Sequence, residues 1–132
     1  MTVYPSYNPT SLIADDNDLI ARQVIVASGQ NVSGAVLPRG TVLGIVTTTG
    51  LATTGQAIVS KATATDGSQV PTGVLTDDVD TSVAAVVAQE YETGVFAYEI
   101  ANIDPSWTIA TLNRAFQAKG QPVFFRSVGV AA

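Results

Sequence analysis

Apolar and polar positions alternate along this chain in short bursts, interrupted every few residues by Gly or Pro. Between Ala21 and Val46, "ARQVIVASGQ" and "VSGAVLPRGTVLGIV" predict strands near Gln23 to Ala27 and Thr41 to Val46, with turns at "SGQN" and "LPRG". "TGVLTDD", "SVAAVVAQEY", "GVFAYEI" and "QPVFFRSV" supply four further β candidates. The Thr- and Gly-rich "TTTGLATTGQ" and the Asp66-Gly67 dipeptide in "ATDGSQVPTG" read as exposed loops or hairpin ends. One segment changes period. In "DPSWTIATLNRAFQAKG", Ile109, Leu112 and Phe116 recur at helical spacing, Ser106 or Thr108 is placed to cap the start, and Lys119 with Gly120 ends it. The pattern predicts a mostly β fold with a single late helix of about three turns.

The stretch "ETGVFAYEIANID", residues 92–104, alternates like a strand but is apolar on both faces. Phe96, Tyr98 and Ile100 point one way; Val95, Ala97 and Ala101 point the other, with Glu99 among them. Such a strand needs a second cover, either the helix around Leu112 and Phe116 or a neighbouring subunit. The subunit reading makes Val95, Ala97 and Glu99 candidate interface residues.

The opening "MTVYPSYNPTSLIADDND" shows no sustained period and contains Pro5 and Pro9, each without a backbone donor. Residues 1–18 therefore read as an extended arm and residues 19–132 as a single domain, the length being too short for two cores.

Composition narrows the classes of function. Only 13% of residues are charged against 46% hydrophobic, about half the charged share of an ordinary soluble domain. A surface finished by Thr, Ser, Gln, Gly and Ala is suited to being covered by a partner. Six Lys and Arg against eleven Asp and Glu give a net charge of −5, so no basic field exists for a phosphate backbone or an anionic membrane. The sequence predicts neither a membrane span nor a secretory leader. Zero Cys removes disulfides and thiolate chemistry.

The same inventory restricts catalysis. Zero His removes imidazole chemistry and the usual triads, leaving carboxylates. "DDND" (Asp15 to Asp18) and "DDVD" (Asp77 to Asp80) invite a calcium reading, but neither fits the loop. Counting from Asp16 or Asp78, Ala21 or Val83 stands where a glycine turn is needed, and Ala27 or Gln89 where the closing Glu is needed. "VDTSVA" resembles the active-site triplet of aspartic proteases, whose small members pair one Asp per subunit across a dimer. Here the Asp is Asp80, preceded by the charged Asp77 and Asp78 in place of a hydrophobic strand. No phosphate-binding glycine spacing occurs, and no metal or cofactor is expected.

Taken in order, "LIARQVIVASGQNVSGAVLPRGTVLGIVTTTG", "VPTGVLTDDVDTSVA", "YETGVFAYEI" and "LNRAFQAKGQPVFF" resemble the head decoration proteins of tailed phages, the lambda protein D family. The resemblance covers most of Leu19 to Phe125 and departs from the pattern at Ala97, where Asn is common, and in the Pro-Tyr arm. It implies a β-clip-like or small barrel-like β domain and a non-enzymatic capsid cement. Such a cement is a homotrimer on the outer surface of the expanded phage head, at three-fold positions, holding the major capsid protein against DNA pressure. It implies synthesis in the host cytoplasm and no nucleic-acid or membrane partner. The arm, with Val3, Tyr4, Pro5, Tyr7 and Pro9, suits strand addition to a neighbouring capsid subunit. The alternatives are the dimeric aspartic protease through Asp80 and a phage tail or fibre surface module.

Overall fold

A computed structural model of the protein describes residues 19–31 and 36–128. Among these residues the elements run β1 (Ala21–Val26), β2 (Val42–Ile45), β3 (Ala57–Val59), β4 (Pro71–Leu75), β5 (Val86–Tyr91), β6 (Gly94–Ala97), α1 (Ile109–Ala118) and β7 (Val123–Arg126). Five strands close into a barrel in the order β1-β3-β2-β4-β5, while β6 and β7 form a separate parallel pair. The expected mostly β, barrel-like domain with one short late helix is borne out. The arm and its Val3, Tyr4, Pro5, Tyr7 and Pro9 lie outside the described residues, as does "DDND".

Two apolar clusters explain why some strands alternate and others do not. Along β1, Val24 and Val26 are buried while Gln23 and Ile25 are exposed, as expected of a barrel wall facing water on one side. In β2 and β4 both faces are closed. Leu43 and Leu75 join Val24, Val26, Leu37 and Ala57 inside the barrel. Their neighbours Val42 and Val74, paired across the two strands, turn outward onto Phe96, Trp107, Leu112, Phe116, Val123 and Phe125. The helix and the β6-β7 pair thus form a second layer over one wall of the barrel. Each fully buried side chain of this size contributes roughly 1.5–3 kcal/mol.

The helix starts and stops where its residues require. Thr108 is the N-cap: its hydroxyl accepts from the Thr111 N–H at 3.2 Å, and its own N–H donates to the Thr111 hydroxyl at 2.9 Å. Ser106, the other cap predicted, is occupied elsewhere, its hydroxyl accepting from the Ala62 N–H at 2.8 Å. Leu112 and Phe116 are fully buried, and Gly120, at φ 71°, follows the last turn.

Three sequence expectations change. The strand after Gly94 stops at Ala97, because the N–H groups of Ile100 and Ala101 both donate to the Ala97 carbonyl, at 3.2 and 3.0 Å, and close a turn. Tyr98 and Ile100 therefore reach the core from a turn instead of a strand face. β3, three residues long, was hidden behind a loop-like Thr-Gly stretch. β5 begins only at Val86, so "SVAA" precedes it as irregular chain.

Candidate interaction surfaces

The β6-β7 pair answers what covers its two faces. Phe96 and Phe125 lie opposite one another with ring centroids 5.7 Å apart, and Phe116 of α1 stands 6.3 Å from Phe125. The helix therefore covers the Phe96 face. On the other face Val95 pairs with Phe124, which remains 48% exposed. Of the three predicted interface residues, Val95 is half-buried on this face and Ala97 is closed off by the protein itself. Glu99 is exposed, accepts from the Val128 N–H at 3.0 Å and is hydrogen-bonded to the Ser127 hydroxyl. Phe124 is not among the interface residues expected from the sequence, where the pattern of Trp107, Phe116, Phe124 and Phe125 reads as core. The signal was the doublet "FF", in which one ring must point outward if the other points in.

A second apolar face lies on the barrel wall. Ile25 and Val87 are direct cross-strand partners of β1 and β5 and stay 44% and 60% exposed. The adjoining pair is Gln23 with Gln89, so the patch is apolar at its centre and uncharged at its edge. Beside it runs a groove of about 430 Å³ lined by β1 residues 22–25, Ile45 and Gly55. It opens because β1 pairs with β5 over six residues but with β3 only at Val26.

One end of the barrel carries a buried charge. Glu90 is fully buried, and its carboxylate accepts from Arg22 Nε and Nη2 at 3.2 and 3.1 Å and from the Thr72 hydroxyl at 3.1 Å. A Cβ at Gly73 would sit 2.7 Å from this carboxylate and 2.6 Å from the Tyr91 carbonyl, so the site requires glycine there. Burial pushes the Glu90 carboxyl above its usual range, and the Arg22 charge and the Thr72 hydrogen bond pull it back only in part. Lys119 donates to the Pro71 carbonyl at 2.8 Å; burial and then the Arg22 charge lower its ammonium's pKa, against the pull of Glu90. The groups are mutually satisfied, which suits a structural plug better than a reactive centre.

The Asp80 region is a clamp between two loops. The Asp80 carboxylate accepts from the Ser82 N–H at 3.0 Å and from the Asn31 amide at 2.9 Å. The Asn31 carbonyl oxygen takes the Thr81 N–H at 2.8 Å, and the buried Thr81 hydroxyl takes the Gln30 N–H at 3.0 Å. Hydrogen bonds from Ser82, then from Asn31, hold Asp80 down at about 2. Both of these hydrogen bonds fall on Asp80 Oδ1, so the carboxylate is engaged in tying the two loops together. Asp78 is also engaged, accepting from the Arg39 N–H at 2.6 Å. Among the described residues no group of three or more His, Cys, Asp or Glu side chains is arranged to hold a metal ion. No helix among them is long and apolar enough to cross a membrane.

The family model described as "Bacteriophage lambda head decoration protein D" matches residues 2–121. A search of curated proteins finds no match.

Proposed function

The chain belongs to the bacteriophage lambda head decoration protein D family, a family of structural capsid proteins, and from that premise we propose how it decorates the head. Three copies form a trimer seated at the three-fold positions of the expanded shell, on its outer surface, and hold neighbouring major capsid subunits against the pressure of packaged DNA. The observation that carries this reading is the family match, which covers residues 2–121 and ends just before β7. The surface supports it. The Ile25–Val87 pair offers apolar area edged by Gln23 and Gln89, and the Val95–Phe124 pair offers apolar area beside the exposed Arg126 and Glu99, the kind of patch a partner covers. A net charge of −5 suits an outer surface facing away from DNA.

In this proposal Val95, Glu99 and the adjoining Phe124 meet a neighbouring subunit, while the buried Ala97 acts only as backing. Val3, Tyr4, Pro5, Tyr7 and Pro9 engage the major capsid protein by strand addition, with the two Tyr as anchors. Light scattering after gel filtration tests the assembly: a mass three times 13.6 kDa is expected, and a dimer would return the protease-like alternative to consideration. Tyr4→Ala with Tyr7→Ala tests the arm. Head binding should weaken at least tenfold, about 1.4 kcal/mol, with melting unchanged; full affinity would remove the arm from the interface.

A further inference from the structure

The Asp66-Gly67 dipeptide joins two residues whose peptide link is prone to rearrange. Glycine has no side chain to shield its nitrogen or restrict its rotation, so that nitrogen can reach the aspartate Cγ one residue back. The N–C bond of a succinimide ring forms as the amide proton and the carboxyl hydroxyl leave together as water. Water then opens the ring. When it cleaves the backbone C–N bond, the chain runs on through Cγ and the residue becomes isoaspartate, with one more methylene in the main chain.

The fold nevertheless requires this pair. Gly67 has φ 100°, and a Cβ there would sit 2.8 Å from both the Cβ and the nitrogen of Thr47, so a larger residue has neither the backbone freedom nor the space. Asp66 is equally engaged. Its Oδ1 accepts from the Ser68 N–H at 3.0 Å and from the Ser68 hydroxyl at 2.5 Å, the local turn that Asp forms with the backbone two residues on. Ser68 is itself buried, its carbonyl accepting from the buried Ser60 hydroxyl at 2.7 Å, which seats the turn on the barrel.

Attack on Cγ requires the peptide plane between Asp66 and Gly67 to rotate, and that plane is held at both ends. Its carbonyl accepts from the Thr47 and Thr48 N–H groups at 2.8 and 3.1 Å, and its N–H donates to Gln69 Oε1 at 2.8 Å. We propose that Asp66-Gly67 is an isoaspartate-forming site kept inert by the fold, with Gln69 holding the attacking nitrogen and the Thr47–Thr48 backbone holding the carbonyl. The Gln69 oxygen binds the proton that must leave before the nitrogen can attack. The Ser68 hydrogen bonds, from its hydroxyl and then its N–H, lower the Asp66 carboxyl below its usual range, so the neutral acid, the form that releases water, is scarcer still. Release of the turn from Thr47, which follows β2, exposes the site, and isoaspartate at residue 66 then marks molecules whose barrel has loosened there. This inference stands independently of the capsid reading.

The test is ageing of the full chain at neutral pH, with isoaspartate located by fragmentation mass spectrometry, in the folded parent, in the parent unfolded by urea and in folded Gln69→Ala. The folded parent should form isoaspartate at residue 66 more slowly than the unfolded chain by about tenfold or more. Gln69→Ala should form it several-fold faster than the folded parent. Amide hydrogen exchange supplies the second readout: in Gln69→Ala the Gly67 amide should exchange faster, while that of Val24, within the β1–β5 ladder, is unchanged. Equal rates of isoaspartate formation in the folded and unfolded parent overturn the proposal. An unchanged rate in Gln69→Ala, or faster exchange shared by Gly67 and Val24, overturns the assignment of the lock to Gln69.

Discussion

The side-chain amide of Asn113 closes the outer edge of β7: its nitrogen donates to the Phe125 carbonyl at 2.8 Å, and its oxygen accepts the Phe125 N–H at 2.7 Å. One residue of α1 thus does for a two-stranded sheet what a third strand would do. An open edge beside the exposed Phe124 would otherwise invite unspecific pairing.

Asn113→Ala should lower stability by about 1–3 kcal/mol, the range for leaving partly buried backbone groups without a partner. Denaturant melts measure it directly. A change of a few tenths of a kcal/mol would mean that water replaces the amide without loss.

Arg22 and Glu90 give a sharper contrast. Arg22→Ala leaves the buried carboxylate uncompensated and should cost about 3–5 kcal/mol, whereas Arg22→Met with Glu90→Met should cost much less than the single change. The pH dependence has a definite sign. The folded carboxyl is raised above its ordinary 4.5, so its contribution is fully present below that value and fades as pH rises through the folded pKa. The stability of the parent relative to Glu90→Gln should therefore fall with increasing pH across that window; a rise would show that Arg22 dominates burial.

Asp80 runs the other way. Its pKa is lowered from 3.8 to about 2, so its contribution is present above 3.8 and is lost as pH falls towards 2. Any advantage of the parent over Asp80→Asn in melting temperature at pH 5 should shrink on acidification, and Asp80→Asn should remove no peptidase activity. Pepstatin-sensitive cleavage by the parent, lost in the variant, would contradict a purely structural role.

Helix packing is tested by truncating its buried side chains. Leu112→Ala should cost about 2–5 kcal/mol and Phe116→Ala about 3–5 kcal/mol. Unchanged melting temperatures in both would show that α1 does not carry the second core.

How much of this was legible beforehand depends on the range of the interaction. The helix was readable because its period, its cap and its terminating glycine are local. β2 and β4 were readable as strands, but not as walls shared by two cores, since consecutive buried residues such as Val42 and Leu43 give no sign of which layer each one enters. The extension of β6 past Ala97 failed because alternation continued in the letters after the backbone had turned. β3 was lost because three residues give too short a period to detect. The Asn31–Asp80 clamp and the Asn113–Phe125 closure join side chains to distant backbone, which no local pattern encodes. Of the interface candidates, Val95 is half-buried and Glu99 exposed, whereas Ala97 has a small side chain and is buried in the protein itself.

The most direct measurement is a titration of undecorated heads, expanded and unexpanded, with the purified protein, counting bound copies by mass and locating them by electron microscopy. Decoration of the outer surface predicts saturation at three copies per three-fold position on expanded heads, little binding to unexpanded ones, and greater resistance of the decorated heads to rupture. Absence of saturable binding to expanded heads, or saturation at sites other than the three-fold positions, would contradict the account.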